Sequence, residues 1–226
     1  MKKQIVTFVI DKNLDIKNHL IGLDSYKRKL HSKTISKNEY YETLLKLPFK
    51  KRKEIIRKNI ERFYSPEKNK FTRTLAKDIN KEWGKIEARY FYKLEKIHGH
   101  PFPYHAVKAT LSSANRFGYD VEGKWFAVSM MQNKFISIDI AMHELMHFMF
   151  HKYYWKMCER KGLSWKQIWD IKESFTVLLN TGFANLRFQS DNGYPEHKQI
   201  RLAITKSWNK YHNFEKALSS AIQCTH

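Results

Sequence analysis

The sequence predicts an α+β fold: a helical N-terminal half, a small antiparallel sheet, then a long, nearly uncharged helix and further C-terminal helices. Three observations carry this expectation. Between residues 66 and 97, Phe71, Leu75, Ile79, Trp83, Ile86, Tyr90 and Leu94 recur at three- and four-residue steps, the period of one helix face. From 105 the texture changes to strand-like alternation. From 137 onward helical periodicity returns, in a segment with almost no charge on any side.

Taken in order, the opening residues through Ile10 read as a strand that Asp11 ends. Residues 36–47 read as a short helix, with Ser36 three before Glu39 in capping-box spacing, and Pro48 stops it. Residues 51–64 form a second helix, with Ile55, Ile56 and Ile60 on one side and basic residues opposite. Pro66 suits the first turn of the long third helix, which Gly99 and Pro101 close. Residues 105–111 and 124–131 alternate as strands, separated by a turn near 120–123. A helix is expected over 137–161, another from the Ser164/Gln167 cap to Asn180, and two more near 196–211 and 213–223.

With 42% apolar and 15% aromatic residues in 226 positions, the chain can bury a core, which excludes a disordered class. No apolar run approaches the roughly 18–20 residues of a membrane-spanning helix, so no membrane association is expected. The start of the chain is too briefly apolar for a signal peptide. Two cysteines, Cys158 and Cys224, are too few for a disulfide scaffold, and a cytoplasmic setting is the expectation.

The net charge is +20, and it is unevenly spread. Residues 1–97 hold 26 basic and 12 acidic side chains, densest at Lys50-Lys51-Arg52-Lys53 and again at Arg57, Lys58 and Arg62. Such a surface can attract the phosphate backbone of a nucleic acid without reading its sequence. A plain solvated helix face explains the same residues without a partner.

The chemistry concentrates at His143-Glu144-Leu145-Met146-His147. Histidines four apart stand one turn above each other, so both imidazoles can reach one metal ion. Glu144 points about 100° around the helix, towards a water on the metal rather than the metal itself. The neighbours Ile138, Ile140, Ala141, Met142, Leu145, Phe148, Met149 and Phe150 bury the helix, and buried histidines and glutamate need compensation that a cation can give. A core histidine pair with Glu144 at the surface is the bland alternative.

A hydrolytic zinc site needs a third protein ligand and an open position. The histidine ten residues after the first in long zincin patterns is Tyr153 here, and Phe150 replaces the turn glycine. Glu173, on a largely apolar helix face, is the candidate, against a simple ion pair with Lys172 or Lys166. Asp170 could serve as ligand or support, and Asp139 is a second supporting candidate. His151, a further turn along, is expected to be supporting or structural, because histidines eight apart drift about 80° around a helix. Tyr194 and His197, in a turn-rich segment, are candidate donors to a developing oxyanion. The strand from Phe126 to Met131, if its edge is exposed, would hold an extended peptide by backbone pairing.

The order of strand, H-E-x-x-H helix and a glutamate 26 residues beyond His147 resembles the gluzincin class of zinc metallopeptidases. His143 to His151 together with Glu173-Ser174-Phe175-Thr176-Val177-Leu178-Leu179 is similar to the ImmA/IrrE-type branch, over about residues 104–182. The resemblance implies zinc ligation by His143, His147 and Glu173, Glu144 as general base, and protein or peptide substrates, with repressor cleavage as one task. Charge and texture divide the chain into a basic, mainly helical N-terminal region at 1–98, a prodomain or docking segment, and a zincin-like metallopeptidase domain at 99–226. Val177 stands where many gluzincins carry an aspartate supporting a histidine ligand, and Ser174 near where the branch has a packing alanine. The competing expectation is a basic, nucleic-acid-associated regulatory protein whose metal site is structural or vestigial.

Overall fold

The computed structural model describes residues 4–31, 38–115 and 118–225. Strand β1 (Val6–Val9) is followed by helices α1 (Lys12–His31), α2 (Glu39–Leu45), α3 (Phe49–Phe63) and α4 (Pro66–His98). Then come β2 (Val107–Ser112), β3 (Tyr119–Asp120) and β4 (Trp125–Ser129). The remainder is helical: α5 (Lys134–Tyr153), α6 (Trp155–Arg160), α7 (Trp165–Phe175), α8 (Leu178–Gly182), α9 (Lys198–Tyr211) and α10 (Phe214–Gln223). The α+β class therefore holds.

Its sheet is mixed rather than antiparallel. The strand order is β1-β2-β4-β3, with β1–β2 and β2–β4 parallel and only β3–β4 antiparallel. Alternation of side chains is the same in both kinds of ladder; direction is set by the connection. Here, among the described residues, helices α1 to α4 lie between β1 and β2, and the chain reverses through β3 between β2 and β4. The strand expected to offer an edge is instead interior: Trp125 and Phe126 pair on both sides, and every residue of β4 is buried.

Contacts gather the described residues into two compact units, neither bounded at 98/99. One comprises residues 6–81 and 106–137, the other residues 1–5, 82–105 and 138–226, so α4 contributes its first half to one and its second half to the other.

In the sheet-bearing unit, α1 covers ground the periodicity did not mark. Asp11 caps it, accepting from the backbone N–H of Asn13 and Leu14 at 3.1 and 3.2 Å. Leu14 and Ile21 pack against Trp125 and Ala127 of β4. Asp15, fully buried, accepts from the hydroxyls of Ser112, Ser113 (2.8 Å) and Tyr64 (3.3 Å) and from Ser113 N–H, which fastens α1 to the end of β2. A buried carboxylate is tolerable only with donors of this kind. At the opposite margin, Asn80 of α4 closes the edge of β1: its amide donates to Phe8 C=O at 2.8 Å and its carbonyl accepts from Phe8 N–H at 2.9 Å. The cap of α2 is Asn38, which accepts from Tyr41 N–H; Ser36 lies outside the described residues.

In the other unit, α5 is buried as its composition requires. Ala141, Met142, Leu145, Met146, Phe148, Met149 and Phe150 are all essentially inaccessible. Tyr90 of α4 donates its hydroxyl to Met142 C=O at 2.7 Å. The helix expected over 137–161 breaks after Tyr153, and α6 restarts at Trp155. Tyr154 at the break is pinned by a 2.7 Å bond to His98 C=O and by stacking on Phe214. Phe175 of α7 stacks on Phe214 and meets Phe150, fixing α7 against α5. Among the described residues, no helix is long and apolar enough to cross a membrane.

Candidate metal centre

Two adjacent turns of α5 and one turn of α7 build the site. The i, i+4 spacing stacks His143 above His147, their ring centroids 4.5 Å apart and nearly perpendicular. The Ser164/Gln167 capping box starts α7 and sets its phase. Glu173, two turns along, thereby faces both rings: its Oε2 lies 3.5 Å from His143 Nε2 and 3.4 Å from His147 Nε2. One donor atom from each of the three lies within 4.8 Å of the other two.

These separations can be tested against a metal. Ligands at about 2.0–2.1 Å around a tetrahedral zinc lie about 3.3–3.4 Å apart, so the carboxylate oxygen already stands at coordination distance from each imidazole nitrogen. The donor set, two imidazoles and a carboxylate, suits zinc. Glu144 adds a second sign. It is buried, and its Oε2 has no hydrogen-bond partner among the described residues, an unsatisfied acceptor on the same turn as His143. The residues present therefore fit a divalent cation.

The electrostatics follow from burial. It pushes Glu144 up to about 7, although the charges of His143 and Lys172 pull the other way. Burial, with Lys172 second, pushes His147 down to about 3. Burial would lower His143 too, but hydrogen bonds to Asp191 and Glu173 outweigh it and lift the ring to about 10. Glu173 is itself held far below the carboxylate range: burial opposes this, but His147 and Lys172 prevail. His143 is the least buried of the three, its side chain 26% exposed against 2% for His147, so the site opens on its side.

Sequence reasoning missed Asp191. Its Oδ2 binds His143 Nδ1 at 2.8 Å, which aims Nε2 at Glu173. Thr176 Oγ1 donates to its Oδ1 at 3.0 Å, Arg201 donates to Oδ1 at 2.9 Å and also to its carbonyl, and Asn180 brackets its backbone at 2.7 and 2.8 Å. The turn that carries it needs Gly193, at φ +64°, where a Cβ would stand 2.6 Å from the Arg201 guanidinium. Such a carboxylate behind a ligating histidine fixes its tautomer and orientation. The signal was weak because Asp191 sits in a loop with no periodicity; only its place in the Asp191-Asn192-Gly193 turn marked it.

Other candidates are placed elsewhere. Asp170 pairs with Lys166 and with His197 Nε2 at 3.0 Å, and it is not in the cluster of His143, His147 and Glu173. Asp139 accepts from the N–H groups of Phe188 and Gln189 rather than supporting a histidine. His151 stacks on Trp155, centroids 4.4 Å apart, outside the triad. His197 is buried, with its ring 5.3 Å from that of Tyr194. Tyr194 feels the site directly: burial, then the charges of Glu173 and Glu144, raise its phenol to about 12. The anticipated pair between Glu173 and Lys172 exists as well, Nζ to Oε1 at 2.7 Å, alongside the approach to both histidines.

No family model, curated protein or solved structure matches the chain.

Proposed function

We propose that the chain is a zinc metalloendopeptidase of gluzincin type, hydrolysing peptide bonds with water and Glu144 as general base. The observation that carries this reading is the convergence of His143 Nε2, His147 Nε2 and Glu173 Oε2, with Glu144 Oε2 lacking a hydrogen-bond partner among the described residues. Zinc, when bound, supplies a Lewis acid for the scissile carbonyl and lowers the pKa of a coordinated water to about 7.

The chain's own residues do the rest. Glu144, buried and with its Oε2 free of a hydrogen-bond partner among the described residues, takes the proton of the attacking water and returns it to the leaving amine. Asp191 holds the His143 ring in the tautomer that presents Nε2. Tyr194, whose phenol stays protonated at neutral pH, donates to the developing oxyanion. His197 is the second candidate for that task, positioned through Asp170.

The test is elemental analysis joined to an assay on unfolded protein. The wild type should carry about one zinc per chain, and His143→Ala or His147→Ala should lose it. Glu144→Gln should keep the metal and lose hydrolysis. A wild type that takes up no zinc when it is supplied overturns the reading.

We also infer that the basic N-terminal region docks the protein on nucleic acid. The supporting observation is the solvent face of α3, where Lys51, Lys53, Arg57, Lys58 and Arg62 are all exposed. Of these, Lys58 pairs with Glu54 and Arg57 with Glu61.

A further inference from the structure

We propose that Lys172 is a positioning residue that makes Glu173 a one-oxygen ligand, an inference that rests on the metal reading above. The two carboxylate oxygens of Glu173 have different partners. Oε1 accepts from Lys172 Nζ at 2.7 Å, while Oε2 alone faces the imidazoles at 3.4 and 3.5 Å.

The surroundings of Lys172 suit this task. Lysines ordinarily run their stems along a surface and keep the ammonium in water. Here the whole side chain is sealed, 1% exposed, with its ammonium 3.9 Å from the centroid of the Trp169 ring. A buried ammonium is costly unless it is hydrogen-bonded to an opposite charge, and Glu173 provides that charge. The pair is adjacent in sequence on one helix, so it exists before any ion arrives.

A carboxylate with two free oxygens can take a cation with both. That would fill a position which a hydrolytic site must keep for water and substrate. By occupying Oε1, the Lys172 ammonium leaves one oxygen for the metal and preserves the open position. An arginine can hold the same oxygen; a methionine of similar length cannot.

Cobalt(II) loaded into the full-length chain in place of zinc reads this directly, because its visible bands are more intense in four-coordinate sites than in five-coordinate ones. Wild type and Lys172→Arg should bind one equivalent and show the intense bands. Lys172→Met should still bind one equivalent, with bands weakened several-fold. An unchanged Lys172→Met spectrum at full occupancy overturns the positioning role and leaves the metal reading intact. A wild type that takes up neither cobalt nor zinc overturns both. Should Lys172→Met fail to fold, a crystal of the zinc-loaded wild type decides: Oε2 alone on the metal with Nζ on Oε1 supports the role, and both oxygens on the metal overturns it.

Discussion

Glu144 and Asp191 are two carboxylates close to one imidazole, and their surroundings give them opposite states. Asp191 is surrounded by donors from His143, Thr176 and Arg201, which hold it ionised well below the usual range against the effect of its burial. Glu144 lacks such donors and is pushed up to about 7. Exchanging each for its amide should therefore give different losses. Glu144→Gln should cost roughly 10²–10⁴ in hydrolysis with zinc content unchanged. Asp191→Asn should weaken zinc binding by about 10–100-fold in a competition titration with a chromophoric chelator. Equal zinc affinity in Asp191→Asn and wild type would remove the orienting role. His98 supplies a pH effect separate from the site. It is sealed between Tyr154 and Phe214, and burial lowers it to about 3. Unfolded, its pKa returns to about 6.5, so between these values the unfolded chain binds the extra proton. Stability is then lost as pH falls below about 6.5, at up to about 1.4 kcal/mol per unit from this group. His98→Phe should flatten the fall of Tm between pH 6.5 and 4; a variant whose curve parallels the wild type would refute the assignment.

At the scale of elements, what the sequence disclosed depended on whether a side chain's task is local. The long α4 and the buried α5 were readable because burial of one face, or of all faces, writes itself into periodicity. His143, Glu144 and His147 were readable because one helix turn alone determines their geometry, and Glu173 because a carboxylate in an apolar helix is an anomaly. Strand direction was not readable, since the crossover through α1 to α4, rather than the strand, dictates it. Helix α1 escaped because much of what fixes it is polar: Asp15 and Asn18 bind Ser112, partners nearly a hundred residues away. Asp191 escaped for the same reason, its role existing only once α7 and the turn before α9 are assembled. Asn80 shows how such a distant polar contact shapes an element. As an edge strand, β1 would leave Phe8 N–H and C=O open to another chain, and the Asn80 amide satisfies both. Asn80→Leu should destabilise the protein by about 1–3 kcal/mol in urea unfolding, the cost of stranding both groups. An unchanged midpoint would mean that the pairing contributes nothing.

For the whole molecule, the charge distribution carries a prediction independent of the metal. The three candidate ligands and Asp191 all belong to the unit containing residues 138–226, whereas α3 belongs to the unit containing residues 6–81. Variants on one should therefore leave the other's function in place. Each phosphate neutralised by a lysine or arginine contributes about −0.9 to the slope of log affinity against log salt for duplex DNA. If the exposed face of α3 makes these contacts, wild-type binding to a short duplex should weaken steeply with added salt, and equally for every sequence tried. Replacing Lys51, Lys53 and Arg62 together by glutamine should lower affinity and make the slope shallower by about 2–3. Such neutral, exposed substitutions should leave zinc content and hydrolysis of unfolded protein as they are, and Glu144→Gln should bind the duplex as the wild type does. A wild type with no salt-dependent binding, or a triple variant with an unaltered slope, would show that the excess charge on α3 is solvated surface and that the metal centre acts without a nucleic-acid anchor.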